Sequence, residues 1–298
     1  MKGAERGFLL LTSHLGDPDC KPLTVTQFRR LIDRVRASER TKENRELTVH
    51  DLLALGYGEE MAAHILFLFS RQEQLEYYVN QATKTDCYPI TRISPFYPQI
   101  LRNRLGNDCP GCLWAKGDGS LLERPAIALV GSRDLGQENH SFAQEVGRQA
   151  AKQGYVLISG NARGADRVAQ DSCLENGGQV ISIVADSLAK CKDTPGVLYL
   201  SEDGFDHGLS SIRALSRNRL IHAMGRITLV AQSSLCRGGT WTGTTQNLRH
   251  HWSPVFCFQD GSEAARELIQ MGAAAVDIFD LTDLSQLQDQ FITLFDSK

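Results

Sequence analysis

The chain has 298 residues, and its 32 Lys and Arg residues against 35 Asp and Glu residues give a formal net charge of −3 at pH 7. A hydrophobic share of 42% is enough for a sizeable core, and the length allows two domains. No apolar run reaches the roughly 18 residues of a membrane span, and the N-terminal apolar patch is too short for a signal peptide, so we expect a cytoplasmic protein without membrane contact. The net charge does not by itself indicate a nucleic-acid-binding protein, but a local basic stripe is compatible with it.

Residues 1–82 are expected to form a small all-α domain. Helices are predicted over residues 8–13 and 24–36, with Thr24 as the N-cap of the second. A short helix from residue 48 stops at the glycine turn 56–58, another covers residues 59–69, and a linker helix covers 71–81. This order is similar to a sterile-alpha or helix-hairpin-helix module. Such a turn can bind DNA phosphates, but Glu59 and Glu60 would repel them, so we favour packing or partner binding over DNA contact.

Residues 83–298 are expected to form an α/β domain whose first unit is strand, helix, strand, helix. An edge strand is predicted over 113–117, and buried strands over 127–130 and 155–158. Between the latter two, Phe142, Val146 and Ala150 recur every four residues and give one apolar helix face. Each buried strand leads into a loop of small residues, and a helix begins near residue 165. Short strands alternating with helices indicate a parallel sheet.

The loops that follow the two buried strands are candidates for an anion site. Parallel strands bring their loops to one sheet edge, where glycines allow close approach to a phosphate and helix N-termini offer N–H groups. Arginine adds a planar, bidentate donor. The candidate residues are Gly131, Ser132 and Arg133 in the first loop and Ser159, Gly160, Arg163 and Gly164 in the second. The alternative is that the glycines only make turns and the arginines only solvate the surface. Asp166 is expected to cap its helix and to hold Arg163 in place.

The remaining chain continues the alternation of strands and helices. Strands are predicted over residues 179–185, 197–200, 227–231, 255–258 and 275–279, with helices over 262–271 and 284–295. Further candidate phosphate contacts lie in the intervening loops and helix starts, at Lys190, Lys192, Arg213, Arg217, Asn218, Arg219, Gly239 and Thr240. Trp241 either stacks on a base or fills the core. His222 is interpreted as structural.

Three sequence motifs carry a family resemblance: GSR at 131–133, SGNARGAD at 159–166 and RNRLI at 217–221. In this order they resemble the DNA-processing protein A (DprA/Smf) family, over about residues 91–272. The resemblance implies an extended Rossmann-like parallel sheet of the SLOG/DprA type. It also implies binding and protection of incoming single-stranded DNA, loading of a RecA-type recombinase during natural transformation, and a homodimer. Many members continue into a winged-helix domain, which we expect this chain to lack.

Two functions remain open from the sequence. The first is a non-enzymatic binder of single-stranded DNA, and the second is a SLOG-type protein that binds a nucleotide or nucleotide signal. Hydrolysis is disfavoured because the related LOG phosphoribohydrolases carry a catalytic glutamate where this chain has Gln246, and no P-loop or dinucleotide fingerprint occurs. Cys109 and Cys112 form a C-x-x-C without a second ligand pair, so neither a metal nor another cofactor is expected.

Overall fold

The computed structural model describes residues 1–38, 47–202 and 204–287. Within these ranges a nine-stranded sheet forms the centre of the molecule. Its strands are β1 (Cys87–Thr91), β2 (Cys112–Lys116), β3 (Ala126–Val130), β4 (Val156–Ser159), β5 (Gln179–Ile183), β6 (Val197–Ser201), β7 (Thr228–Val230), β8 (Val255–Phe258) and β9 (Ala274–Val276). Their spatial order is β1-β2-β6-β5-β4-β3-β7-β8-β9. The pairs from β6 to β9 are parallel, which confirms the predicted α/β class and its extended Rossmann-like sheet.

Helices precede the sheet and then cover both of its faces. They are α1 (Gly3–Thr12), α2 (Val25–Ala37), α3 (Val49–Ala54), α4 (Glu59–Ser70), α5 (Gln72–Thr83), α6 (Gln99–Leu105), α7 (Gln137–Lys152), α8 (Ala165–Glu175), α9 (Ser211–Met224), α10 (Gly238–His250) and α11 (Glu263–Gln270). Thr24 caps α2 as predicted, since its side chain accepts a hydrogen bond from the Gln27 backbone N–H. None of the helices in the described ranges has the length and apolarity to cross a membrane.

The N-terminal helices have a small core of their own and also join the core of the sheet. Leu31, Leu52 and Ile65 belong to the first cluster. Leu10 of α1 and Tyr78 of α5 instead share a cluster with residues of the sheet. The Tyr78 hydroxyl also donates to Asp206 Oδ1 over 2.7 Å. The division into domains after residue 82 stays a prediction, with α1 and α5 as the helices that pack across it.

The antiparallel end of the sheet differs from the predicted one. Strand β2 was expected at the edge, but β1 pairs with it, so that β2 lies between β1 and β6. Pro89 lies in β1, and proline is depleted in strand interiors, which explains why the pattern there does not indicate a strand. The antiparallel pairs β1–β2 and β2–β6 thus add two strands to one end of the parallel sheet.

The C-terminal part follows the prediction to β9 and then departs from it. Instead of continuing to residue 279, the strand ends at Val276, and a 3₁₀ turn covers Phe279–Thr282. Leu284 and Leu287 are buried, as an apolar helix face would require. The rest of the helix predicted over residues 284–295 lies outside the described residues.

Helices α7 and α8 pack together closely because Gly147 has no side chain. Phe142, Val146 and Ala150 form the buried face of α7, as predicted. A Cβ at position 147 would overlap the backbone oxygen of Ala169 in α8, and backbone atoms cannot move aside as a side chain does. The two helices must therefore separate if residue 147 has a side chain.

We expect Gly147→Ala to lower the free energy of unfolding by about 2 kcal/mol, because overpacking a core contact typically costs about 1–3 kcal/mol. Urea denaturation followed by circular dichroism measures the change. Gly3→Ala is the matched control, since a Cβ at the start of α1 meets nothing within 4 Å. Equal stability of the two variants would contradict the close helix contact.

The strand order places one crevice in the sheet. The chain runs outward from β3 through β4, β5 and β6, then returns to the other side of β3 with β7. The loops after β3 and β7 therefore leave neighbouring parallel strands in opposite directions. Ligands of open α/β sheets bind at such a topological switch point, outside the carboxyl ends of the strands.

Candidate functional site

A cavity of about 840 Å³ lies at this switch point. It is bounded by the loops after β3 and β7, by α9 as far as His222 and by the first turn of α10. The predicted site residues that line it are Gly131, Ser132, Arg133, Arg217, Asn218, Gly239 and Thr240. Three of the sequence segments singled out as anion-binding candidates thus meet in space.

The loop after β3 is fixed by contacts on several sides. The Ser132 backbone N–H donates a hydrogen bond to Gln232 O over 3.0 Å. The Ser132 carbonyl oxygen accepts a hydrogen bond from the Ala165 backbone N–H over 3.1 Å. The Thr240 hydroxyl donates to Gly131 O over 2.9 Å. Gly164 has a φ of +86°, and a Cβ there would overlap the carbonyl oxygens of Ser132 and Arg133. The glycines of the two loops therefore allow the loops to lie against each other.

Arg133 is presented to the cavity by this fixed loop. Its side chain is exposed, and within the described residues its guanidinium makes no hydrogen bond or ion pair. Arg237, at the N-cap of α10, is exposed beside it in the same cavity and likewise has no side-chain partner in the described part of the chain. Arg237 was not among the predicted site residues, although its position directly before two glycines and a helix is the signal that could have identified it.

The N-terminus of α10 adds backbone donors to the cavity. No side chain caps this helix, and the first four N–H groups of a helix have no partner within it. Gly239 and Thr240 of this first turn line the cavity. Asn218 holds the turn in place, since its Nδ2 donates to Gly239 O over 3.0 Å. The cavity wall thus combines open N–H groups with the positive end of a helix dipole, which favours anions.

The loop after β4 is mostly committed to contacts within the protein. Buried Asp166 accepts hydrogen bonds from the backbone N–H groups of Gly160, at 3.1 Å, and Ala162, at 3.2 Å. Ser159 is buried, and its hydroxyl accepts from Gln170 Nε2 over 2.6 Å. Arg163 pairs with Asp134 rather than with the expected Asp166, with Nη2 and Oδ1 2.7 Å apart on the open surface.

Arg217, predicted as a phosphate contact, is buried and bonded to the backbone. It is only 9% exposed, and its Nη1 donates to the carbonyl oxygens of Gly160, after β4, and Ile183, at the end of β5. Burial lowers the pKa of its guanidinium, and the charge of Asp166 partly opposes that shift. Burial likewise raises the pKa of Asp166, and Arg217 is the strongest influence in the opposite direction. The hydrogen bond from Arg217 to Gly160 O joins the second loop to α9 beneath the cavity.

Four other predicted basic residues lie outside the cavity lining. Arg213 donates to Ala185 O over 3.0 Å and to His207 O over 2.6 Å. Arg219 pairs with Glu202, with Nη2 and Oε2 2.5 Å apart. Lys190 lies 3.5 Å from Asp186 Oδ1, and Lys192 is exposed in the same loop. Contact of these four residues with phosphate stays a prediction.

Three aromatic or titratable candidates pack inside the protein. Trp241 packs against the core cluster beneath α10, which places it in the core alternative rather than in open stacking. His222 is fully buried at the back of the cavity wall. Cys109, of the C-x-x-C pair, is buried with its Sγ 3.0 Å from the Tyr97 hydroxyl.

A polar network sets the tautomer of His222. The Ser253 backbone N–H donates to Asn247 Oδ1 over 2.9 Å, which fixes the orientation of that amide. Asn247 Nδ2 therefore donates to His222 Nδ1, 3.1 Å away. Since Nδ1 accepts, the proton of the neutral ring lies on Nε2, which lacks a hydrogen-bond partner in the described residues. Burial lowers the pKa of His222 to about 3, so the ring is neutral at pH 7.

Two known proteins are similar to this chain in sequence. DNA processing protein DprA of Streptococcus pneumoniae is 30% identical over 206 residues, which are 64% of this chain and 68% of that protein. Protein Smf of Escherichia coli is 28% identical over 199 residues, 61% of this chain and 52% of that protein. The chain therefore spans about half the length of the second relative.

Solved structures share the fold. The X-ray structure of Streptococcus pneumoniae DprA superimposes with a TM-score of 0.62 at 23% identity, covering 87% of this chain and 97% of the other. Helicobacter pylori DprA, whose structure was solved to describe its single-stranded DNA binding mode, gives a TM-score of 0.55 at 24% identity, covering 70% and 96%. Residues 89–286 match the sequence model of DNA recombination-mediator protein A. That match covers most of β1, strands β2 to β9 and every loop of the cavity, and the chain belongs to the DNA recombination-mediator protein A (DprA/Smf) family.

Proposed function

We propose that this chain is a DNA-processing protein that binds single-stranded DNA, with backbone phosphates in the cavity at the switch point. The observation that carries the proposal is that two exposed arginines, Arg133 and Arg237, line one cavity together with the uncapped N-terminus of α10. Charge-assisted hydrogen bonds from arginine and helix N–H groups are the donors that phosphate oxygens accept best.

The local charge at the cavity supports an anionic ligand although the whole chain carries −3. Asp134 is paired with Arg163, and buried Asp166 faces the charge of Arg217. Arg133 and Arg237 make no ion pair in the described ranges, although the charge of Arg133 also helps to lower the pKa of Asp166. The lining then has three arginines, Arg133, Arg217 and Arg237, against Asp134 and Asp166, which leaves an excess of positive charge. A local excess of this kind attracts nucleic acid regardless of the sign of the total charge.

Family membership supports a strand as the ligand rather than a free nucleotide. By that membership the proposal extends to protection of incoming DNA, to loading of a RecA-type recombinase during natural transformation and to a homodimer. Sedimentation of the chain alone tests the dimer. Co-sedimentation with a RecA-type recombinase on single-stranded DNA tests the loading step, and a SLOG-type nucleotide sensor would instead bind mononucleotides alone.

We expect Arg133→Ala and Arg237→Ala each to weaken binding of a fluorescein-labelled oligothymidine about tenfold or more at low salt. A hydrogen bond to a charged group contributes about 1.5–3 kcal/mol, and about 1.4 kcal/mol corresponds to a tenfold change. Each variant should also make the dependence of log affinity on log salt shallower by about 0.7, the value for one phosphate contact on a single strand. Fluorescence anisotropy at several salt concentrations measures both quantities.

Arg249→Ala is the matched control, because Arg249 is exposed at the opposite end of α10 and should leave affinity unchanged. Competition with unlabelled thymidine monophosphate separates the two ligand classes. Displacement of the strand by equal concentrations of mononucleotide would overturn the strand as the ligand. Equal weakening by all three variants would overturn the proposed phosphate site.

A further inference from the structure

An apolar ridge borders the cavity on the side of α9. The ridge consists of Leu209, Ile212 and Leu215, whose side chains are 66%, 81% and 47% exposed. Ile212 and Leu215 are three residues apart on α9 and so lie on the same face of the helix, and Leu209 directly precedes its N-cap, Ser210. Three large aliphatic side chains within seven residues form an exposed apolar patch, and such patches mark binding surfaces.

The ridge is continuous with the proposed phosphate site. Leu209 and Leu215 line the same cavity as Arg133 and Arg237. Leu215 also lies over the first turn of α10, because a Cβ at Gly239 would be 3.9 Å from Leu215 Cδ2. A phosphate bound at the α10 N-terminus would therefore have apolar side chains directly beside it.

The ligand that fits this combination has a phosphate and a flat apolar surface within one nucleotide. We propose that the ridge packs against the bases of the strand whose phosphates occupy the cavity; this inference rests on the proposed function. Leucine and isoleucine carry no hydrogen-bonding group, so the ridge contacts base faces without reading their edges. Contact of this kind tolerates any sequence, as base stacking does in single-strand binders generally.

A second copy of the chain is a weaker candidate for the ridge. A stable protein–protein interface buries about 1,200–2,000 Å² in total. A buried aromatic side chain contributes about 150–250 Å², and three smaller aliphatic side chains fall well short of that interface. The position of the ridge beside unpaired cations also favours a ligand that carries negative charge.

The test compares an oligothymidine with a strand of the same length made of abasic sites, which keeps the phosphates and removes the bases. The variant is Ile212→Ala with Leu215→Ala, two exposed positions where alanine favours the helix. The wild-type chain should bind the thymine strand more tightly than the abasic strand. The double variant should lose about tenfold in affinity for the thymine strand, keep its affinity for the abasic strand and keep the salt dependence of wild type.

The control variant is Met271→Ala, which removes an exposed apolar side chain at the end of α11. Equal affinity of wild type for the two strands would overturn the ridge while leaving the phosphate site intact. Equal loss on both strands, or a shift from dimer to monomer in sedimentation that accompanies the loss, would also overturn it. Failure of wild type to bind either strand would overturn the proposed function and the ridge together.

Discussion

Arg217→Ala is expected to lower the free energy of unfolding by about 3 kcal/mol or more, because each hydrogen bond from a charged group contributes about 1.5–3 kcal/mol. The buried guanidinium donates to the backbone oxygens of Gly160 and Ile183, which belong to the ends of neighbouring strands. Its loss leaves both carbonyls without this donor and leaves buried Asp166 without its strongest opposing charge. The expected change is therefore in stability first, and in ligand binding as a consequence.

The measurement is urea denaturation of wild type, Arg217→Ala, Asp166→Asn and the double variant. Because Asp166→Asn removes the uncompensated charge, the double variant should be less destabilised than the sum of the single changes. Arg133→Ala is the matched control, since this exposed arginine of the same cavity should change stability by less than about 0.5 kcal/mol. If Arg217→Ala were as stable as Arg133→Ala, the structural role of Arg217 would be wrong.

The expected difference in stability distinguishes Arg217 from Arg133, although the two arginines look equivalent in the sequence. The sequence suggests that Arg133, Arg163 and Arg217 can be replaced together without loss of folding. The structure restricts that expectation to Arg133 and Arg163, which are exposed. A binding assay on an Arg217 variant would measure loop disorder as well as loss of charge.

The fold could be predicted because its strands are short, apolar and separated by glycine turns. Every buried residue of α7 that was expected from the four-residue repeat is in the core, among them Phe142 and Val146. Strand β1 could not be found in this way, since its pairing with β2 depends on tertiary contact and its sequence includes Pro89. Periodicity identifies elements that bury a regular face, and β1 has no regular alternation of buried and exposed residues.

The position of the site could be predicted, but the roles of its charges could not. Parallel strands bring their loops to one edge, so the placement of Gly131 and Gly239 beside one cavity followed from the pattern. The basic cluster in α9 was expected to face one ligand near a helix start. Arg217 and Arg219 instead lie in the middle of α9, where residues two apart point in different directions. Arg217 faces the sheet, while Arg219 pairs with Glu202.

Acidic side chains that are distant in sequence determine which arginines remain available to a ligand. Arg163 pairs with Asp134, 29 residues earlier in the chain, rather than with nearby Asp166. Arg237 has no such partner in the described residues and lines the cavity. The number of basic residues in a segment therefore does not predict which of them can bind a ligand. That depends on whether carboxylates or carbonyl oxygens of the protein lie within hydrogen-bonding distance of each one.

The acid sensitivity of the wild-type chain should depend strongly on His222. The pKa of this buried ring is about 3, below the value of about 6.5 that an unfolded histidine has. Below pH 6.5 the unfolded chain therefore binds a proton that the folded chain does not. The stabilisation is complete above pH 6.5 and is lost at about 1.4 kcal/mol per pH unit as the pH falls toward 3.

His222→Asn is the comparison that isolates this effect. The asparagine Oδ1 can occupy the position of Nδ1 and accept the hydrogen bond from Asn247, but the side chain does not titrate. Between pH 7 and pH 4, wild type should lose about 3 kcal/mol more stability than the variant, measured by urea denaturation at each pH. Nitrogen NMR of the wild-type imidazole should show the Nε2–H tautomer without titration down to pH 4.5. Parallel pH profiles for the two proteins, or a ring that titrates near pH 6.5, would show that His222 is not the buried neutral donor behind the cavity wall.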